Sequence, residues 1–387
     1  MYDVLIKGGR VIDPAQGLDG RKDVAVSGDK IALVADQIPA MECRKVIDAA
    51  GKIVTPGLID LHCHCYDGGV SDGLLPDDAG VKQGVTTVVD AGSAGQAIFG
   101  GLPKYVIPAA RTTVFCFLHL GSQGLSIMPE IRDWEEIDLA ATEAVIGAHP
   151  GLIKGVKLRL VGNVVASAGA RVVEMAKETA GKFGLPIMIH IGDLKRQVSP
   201  TLTREFLPLM ESGDILSHVF TGNMGSILLE DGSVMPELRA AVERGVVLDI
   251  ANGRNNLSFE VARQGMAQGI MPSSLSTDVV FSSLTSLVYV LTVTMSKFLA
   301  LGLDIKQMVE MTTINSARAL RIEDRKGSLK PGMDADISVL EILSGGWELA
   351  DSVPETLKIT ELVSPVLVVK AGQVIPSAPV AQPPRTG

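Results

Sequence analysis

Aromatic residues make up only 4% of the 387 positions, and cysteine occurs just four times. With so few rings the interior must be aliphatic, and an apolar fraction of 46% excludes a disordered chain. Cys43, Cys63, Cys65 and Cys116 form no Cys-x-x-Cys pair, which argues against a structural zinc or disulfide framework and for reduced thiols. No stretch reaches the roughly 18 uninterrupted apolar residues needed to span a bilayer, and Met1–Ile6 has no basic segment leading into an apolar one. A soluble cytoplasmic protein is expected. Basic blocks are also missing, and the formal net charge is −9. Neither nucleic acid nor membrane is therefore an expected partner, and a small-molecule substrate is. A homo-oligomer is compatible with all of this.

Glycine is plentiful, at 41 residues, as in an α/β protein with many tight turns. Residues 1–51 alternate short apolar runs with turn chemistry, such as Val4-Leu-Ile6, Gly8-Gly9, Val24-Ala-Val26 and Gly28-Asp29. Residues 329–376 have the same texture. Neither piece alone has enough strands to bury a face, so both termini are expected to build one β-sandwich domain. Between them, over 52–328, eight strand-like runs alternate with helical stretches, two of which stop at Gly184 and Gly245. That order predicts a (β/α)8 TIM barrel, with a doubly wound sheet as the alternative. Residues 377–387, proline-rich and without apolar periodicity, read as a disordered tail.

The first barrel strand is expected over Ile53–Leu61, and it ends in His62-Cys63-His64. Side chains alternate along a strand, so His62 and His64 point one way and Cys63 and Cys65 the other. Two converging imidazoles suit a divalent metal. Further strands end at His190, His218 and Asp278, and the functional groups of a TIM barrel gather on that rim. The fourth strand contributes Lys157. An ammonium facing a metal cluster has the wrong charge and is costly to bury, whereas reaction with carbon dioxide would turn it into a carbamate anion. Lys154 falls short of the strand end. His119 and His149 lie off the pattern and read as packed residues.

Pro56-Gly57-Leu-Ile-Asp60-Leu-His62-Cys63-His64 resembles the first-strand metal motif of the amidohydrolase superfamily. Asp3–Pro14 and Lys330–Ile337 resemble its paired sandwich segments, and Thr313-Ile-Asn315-Ser316-Ala317 its Thr-x-Asn-Pro-Ala turn, with serine in place of proline. Val89–Gly95, Gly155–Arg159, Ser217-His218-x-Phe220 and Trp347-x-x-x-Asp351-Ser352 look most like the deacetylase-type subgroup related to dihydroorotases. The resemblance implies two divalent metal ions, most readily zinc. His62, His64 and Asp278 would hold one, His190 and His218 the other, and carboxylated Lys157 would bridge them. Two dications sharing a water generate hydroxide near neutral pH, and Asp278 is the catalytic base expected to take its proton.

Hydrolysis of an acyl amide or ester of a small, carboxylated molecule is the expected activity. The alternatives are a cyclic amidase of dihydroorotase type, a non-catalytic scaffold barrel and, more remotely, a nucleobase deaminase. Arg159 offers a fork for a substrate carboxylate, or else a core ion pair. Ser93, in the glycine-rich loop after strand two, and Asn252 are further substrate-binding candidates. Asn252 marks a departure, because the subgroup tends to carry Gly-His-Gly where this chain reads Asn252-Gly253.

Overall fold

The computed structural model describes residues 1–378 and 382–385. Strands β1 (Tyr2–Asp13), β2 (Leu18–Ser27), β3 (Lys30–Ala35), β4 (Cys43–Asp48) and β5 (Ile53–Pro56) open the chain. Seven more follow: β6 (Leu58–Cys63), β7 (Val85–Gly95), β8 (Thr113–His119), β9 (Ile153–Arg159), β10 (Ile187–His190), β11 (Ile215–Ser217) and β12 (Val247–Asp249). The chain closes with β13 (Ile337–Ala350), β14 (Thr356–Lys370) and β15 (Gln373–Pro376).

Both ends of the chain share one eight-stranded sheet in the order β15-β14-β13-β5-β1-β2-β3, with β4 paired parallel to β1. Its apolar residues, among them Ile6, Val24, Val54 and Val339, form their own cluster, joined by Leu329. Here the expectation of a single strand over Ile53–Leu61 needs correction. β5 belongs to the terminal sheet, between β1 and β13, and only β6 joins the barrel-type sheet. Gly57 makes the change of sheet: its N–H donates to the Asp336 carbonyl at 2.8 Å. A Cβ there would stand 2.2 Å from Thr86 Oγ1 and 2.9 Å from Asp336 Cβ, so only glycine fits the crossing.

β6 to β12 form a curled, all-parallel sheet in chain order. The apolar character of each strand follows from burial on both faces. Helices such as Arg171–Gly181, Pro236–Glu243 and Phe259–Ala267 cover the outside. Ile59, Leu61, Val89, Phe117, Met188 and Ile215 point inward and pack against Ala317, Ala319, Leu320 and Ile322, which plug the end away from the histidines. Residues 273–279 are bonded to both edges of the sheet: Asp249 bridges Ser274, and Cys63 bridges Val279, both in parallel. Among the described residues no helix is long and apolar enough to cross a membrane.

The β13–β14 hairpin reaches beyond the terminal sheet onto the helical layer. Trp347 is fully buried there. Val363 N–H donates to Ser296 Oγ at 2.9 Å, and Asp351 Oδ2 accepts the Phe259 N–H at 2.9 Å, capping that helix. The tail expected to be disordered is in part docked. Ser377 and Ala378 donate to the Val366 and Lys82 carbonyls, Pro384 accepts from Glu348 N–H, and Arg385 lies 5.7 Å above the Trp347 ring. Residues 379–381 and 386–387 lie outside the described residues.

Candidate active site

All six residues expected to bind metal meet at the C-terminal ends of the parallel strands. The β6–β7 register shifts between Asp60 and Cys63, so Leu61 and His62 can both face inward. At the end of β6 His62 and His64 face the interior, while Cys63 turns away and donates to the Val89 carbonyl at 3.4 Å. Asp278 lies between them, its Oδ1 2.9 Å from His64 Nε2 and 3.3 Å from His62 Nε2, and its Oδ2 3.8 Å from His218 Nε2. His218 follows directly on β11 and Asp278 lies in the segment 273–279; both adopt left-handed backbone, φ 65° and 52°. Such backbone is strained for residues with a side chain, and here it turns both groups inward.

Three of the four rings are oriented from behind. Ser217 Oγ lies 2.8 Å from His62 Nδ1, Ser93 Oγ 3.0 Å from His64 Nδ1, and the Ala251 carbonyl 2.7 Å from His218 Nδ1. Their Nε2 atoms are thereby left free to face the centre. The Nε2 atoms of His190 and His218 are buried and have no hydrogen-bond partner among the described residues, and the two rings lie 4.2 Å apart. Donor atoms of His62, His218 and Asp278 fall within 4.8 Å of one another, close enough for one cation to bind all three. Burial holds His190 and His218 well below the ordinary histidine value and keeps them neutral, the form in which an imidazole can bind a cation. For Asp278 burial works upward, but the contacts with His62 and His64 outweigh it and hold its carboxyl well below the ordinary carboxylate range.

Lys157 is buried with its Nζ 3.2 Å from His62 Nε2 and 3.5 Å from Met188 Sδ. Burial pushes it down to about 7, against the pull of Asp278. Half-buried Lys154 instead lies over the Phe115 ring, outside the cluster. His119 is buried at the end of β8 and pushed down to about 4 by that burial, and His149 packs edge-on to Phe99.

The substrate candidates fare unequally. The cluster opens into a cavity of about 240 Å³ walled in part by Leu125, Met128, Arg159, Arg254 and Asn256. Arg159 reaches it while paired with buried Glu130. Ser93 and Asn252 are not on its wall. Ser93 serves His64, and Asn252 is turned into the helical layer, where its amide N–H₂ donates to Thr294 Oγ1 at 3.2 Å and its oxygen accepts from Lys297 at 3.3 Å. The Asn252 side chain is therefore engaged by a buried lysine and lies off the cavity wall.

Sequence reasoning missed the carboxylates that hold the clustered side chains in place. Asp249 accepts from Ser217, Ser274 and Ser276, and so fixes the serine behind His62. Asp60 accepts the Thr277 Oγ at 2.6 Å and the Thr277 N–H at 3.0 Å, tying the segment of Asp278 to β6. Its position two residues before His62 on a strand was a usable signal. Arg254, 3.2 Å from Asp72 and 2.6 Å from Ser282 Oγ, ties together three loops at the cavity mouth.

Comparison with known proteins agrees with this geometry. The model of the amidohydrolase family matches residues 53–375. A deacetylase of Agrobacterium fabrum is 35% identical over 347 residues, covering 89% of this chain and 84% of that protein. A deacetylase of Enterococcus faecalis is 30% identical over 96% of this chain and 99% of its own. Among solved structures, an adenine deaminase superposes with a TM-score of 0.89 at 30% identity, covering 97% of this chain and all of the other. A dihydroorotase gives 0.85 at 32%, covering 97% and 99%. The fold, the convergent histidines and these likenesses together identify the chain as a member of the amidohydrolase family and a hydrolase.

Proposed function

We propose that the protein is a binuclear metal-dependent hydrolase that cleaves an acyl amide or ester of a small carboxylated compound. One observation carries the reading: two buried histidine nitrogens without hydrogen-bond partners among the described residues, one of them 3.8 Å from the Asp278 carboxylate, lie beside a lysine that makes no salt bridge among those residues. Unsatisfied buried polar atoms are costly, and two cations would satisfy them together. His62, His64 and Asp278 would hold one, His190 and His218 the other, with zinc the best match to imidazole and carboxylate. A lysine near 7 has enough free amine at neutral pH to take up carbon dioxide, and the carbamate of Lys157 would join both ions. In the same reading residues 273–279 complete a (β/α)8 barrel, and the terminal sheet wraps its own core as a β-sandwich.

When bound, the two ions would acidify a shared water and polarise the scissile carbonyl. Asp278 accepts the proton of the attacking water and passes it to the departing amine or alcohol. Arg159, its charge already offset by Glu130, presents its remaining N–H groups to a substrate carboxylate. The cavity of about 240 Å³ is small for a ligand site, and an adjoining one of about 140 Å³ shares Met128, Arg159, His190, Asn255 and Asn256. That space suits a short acyl group and a modest leaving group. The deacetylases that match most of this chain support acyl transfer to water, whereas the dihydroorotase likeness favours a cyclic amide as the second reading.

Elemental analysis of the purified protein should find about two divalent ions per chain, and one or none after supplementation would count against the binuclear site. In a substrate screen, acylated amino and hydroxy acids should be hydrolysed in preference to cyclic amides. Turnover of dihydroorotate or hydantoins alone would install the cyclic amidase, and ammonia release from adenine a deaminase.

A further inference from the structure

His119 has no part in that mechanism, yet it is buried at the end of β8 beside the strand that bears Lys157. The two residues are register partners between β8 and β9, so their side chains leave the sheet on the same side. They meet over Gly92. A Cβ there would lie 2.5 Å from Lys157 Cγ and 3.4 Å from His119 Cδ2, the ring carbon bonded to Nε2.

The tautomer of His119 follows from its other nitrogen. Gly121 N–H donates to His119 Nδ1 at 2.9 Å and occupies its lone pair. The Gly121 carbonyl, at 3.3 Å, would need a proton on that same atom, and the shorter contact with a backbone donor prevails. The ring proton is therefore on Nε2, which is buried and has no hydrogen-bond partner among the described residues. An N–H on Nε2 cannot ligate a cation. It also cannot serve an ammonium, which is itself only a donor. A carbamate on Lys157 is the acceptor that would satisfy it.

We propose that His119 is a positioning residue that donates a hydrogen bond from Nε2 to the carbamate of Lys157, favouring its formation and fixing its orientation. The proposal rests on the reading of Lys157 as carbamylated. In that reaction the free amine's electron pair forms a C–N bond to carbon dioxide, one C=O pair moves onto oxygen, and the amine loses a proton to solvent. The product carries one negative charge where the amine had none, so a neutral donor fixed nearby stabilises it.

The test compares two substitutions. His119→Asn keeps an oxygen near the Nδ1 position to accept from Gly121 but has no donor at the Nε2 position. His119→Gln places an amide N–H near Nε2 and gives up the Gly121 bond. Metal-depleted protein is reloaded with zinc over a series of ¹³C-bicarbonate concentrations, with bound zinc read by elemental analysis, the carbamate carbon by NMR, and folding by Tm. His119→Asn should need roughly tenfold more bicarbonate for half-loading, the usual scale for a hydrogen bond to a charged group, while His119→Gln stays near wild type. Equal bicarbonate requirements for wild type and His119→Asn, or equal losses in both variants, would overturn the role of the donor. Loaded wild-type protein without a carbamate signal would overturn the Lys157 reading itself and this proposal with it.

Discussion

Lys157 and Lys297 are equally hidden, and burial pushes both down to about 7, but their surroundings differ in kind. Lys297, on the helix Leu291–Ala300, donates to the Leu287 carbonyl at 2.7 Å and to Asn252 Oδ1 at 3.3 Å. These acceptors serve an amine or an ammonium equally well. The residue ties a helix to the loop that precedes it. Among the described residues Lys157 has only a ring nitrogen and a thioether within hydrogen-bonding range, in the midst of four histidines and an aspartate. Burial marks a lysine as unusual; the quality of its acceptors indicates whether it is a fastener or a group that awaits chemistry.

Substitution separates the two most sharply at Lys157. Lys157→Ala should lower metal content and turnover together, by more than the roughly 10- to 100-fold typical of outer-sphere partners. Acetate or propionate should restore part of both by supplying a carboxylate. Full activity with two metals in Lys157→Arg would make Lys157 an ordinary cation and erase the contrast. Asp278→Asn preserves shape and removes the proton acceptor, so turnover should fall roughly 10²-fold or more; a near-normal rate would locate the base elsewhere. Ser217→Ala frees the ring of His62 and should cost roughly tenfold in metal affinity or turnover, measured by competition with a chelator.

For Lys297 the expected effect is on the fold and barely on turnover. Lys297→Met leaves the Leu287 carbonyl unpaired and should destabilise by about 1–3 kcal/mol in denaturant titration. The pH dependence carries a definite sign. Its folded value lies near 7 and its ordinary value at 10.5, so between them the unfolded chain binds one more proton and stability rises with pH. Lys297→Met should remove up to about 1.4 kcal/mol per pH unit from that slope. An unchanged slope between about pH 7 and 9 would show that the folded lysine remains an ammonium there.

The rim was readable because strand alternation and chain order are local properties. His62, His64, His190 and His218 each end a run of apolar residues, and so does Lys157. What escaped the sequence depends on partners far along the chain. Asn252 looked free to meet a substrate until Lys297, 45 positions later, claimed its oxygen. Asp60 and Asp249 lie on legible strands, but their task of holding serine and threonine hydroxyls behind the histidine cluster needs the strands' neighbours to be known. The apolar pattern of β5 runs on through Gly57 into the first barrel strand, and only the strand pairing and the close packing of Thr86 and Asp336 show that the chain changes sheets there. The tail was judged by composition alone, which cannot register the docking of Arg385 on Trp347.

The position of β5 also bears on how the protein is made. Val54 pairs with Val11 on one side and with Val339 on the other, so a strand finished early in synthesis waits for a partner nearly three hundred residues later. Until β13 leaves the ribosome, one edge of β5 is unpaired and lies next to the segment that carries His62 and His64. Long-range pairing of this kind slows folding and leaves sticky intermediates. A nascent chain halted before residue 337 should therefore favour chaperone binding or aggregation over assembly of the histidine cluster, however complete its own strands.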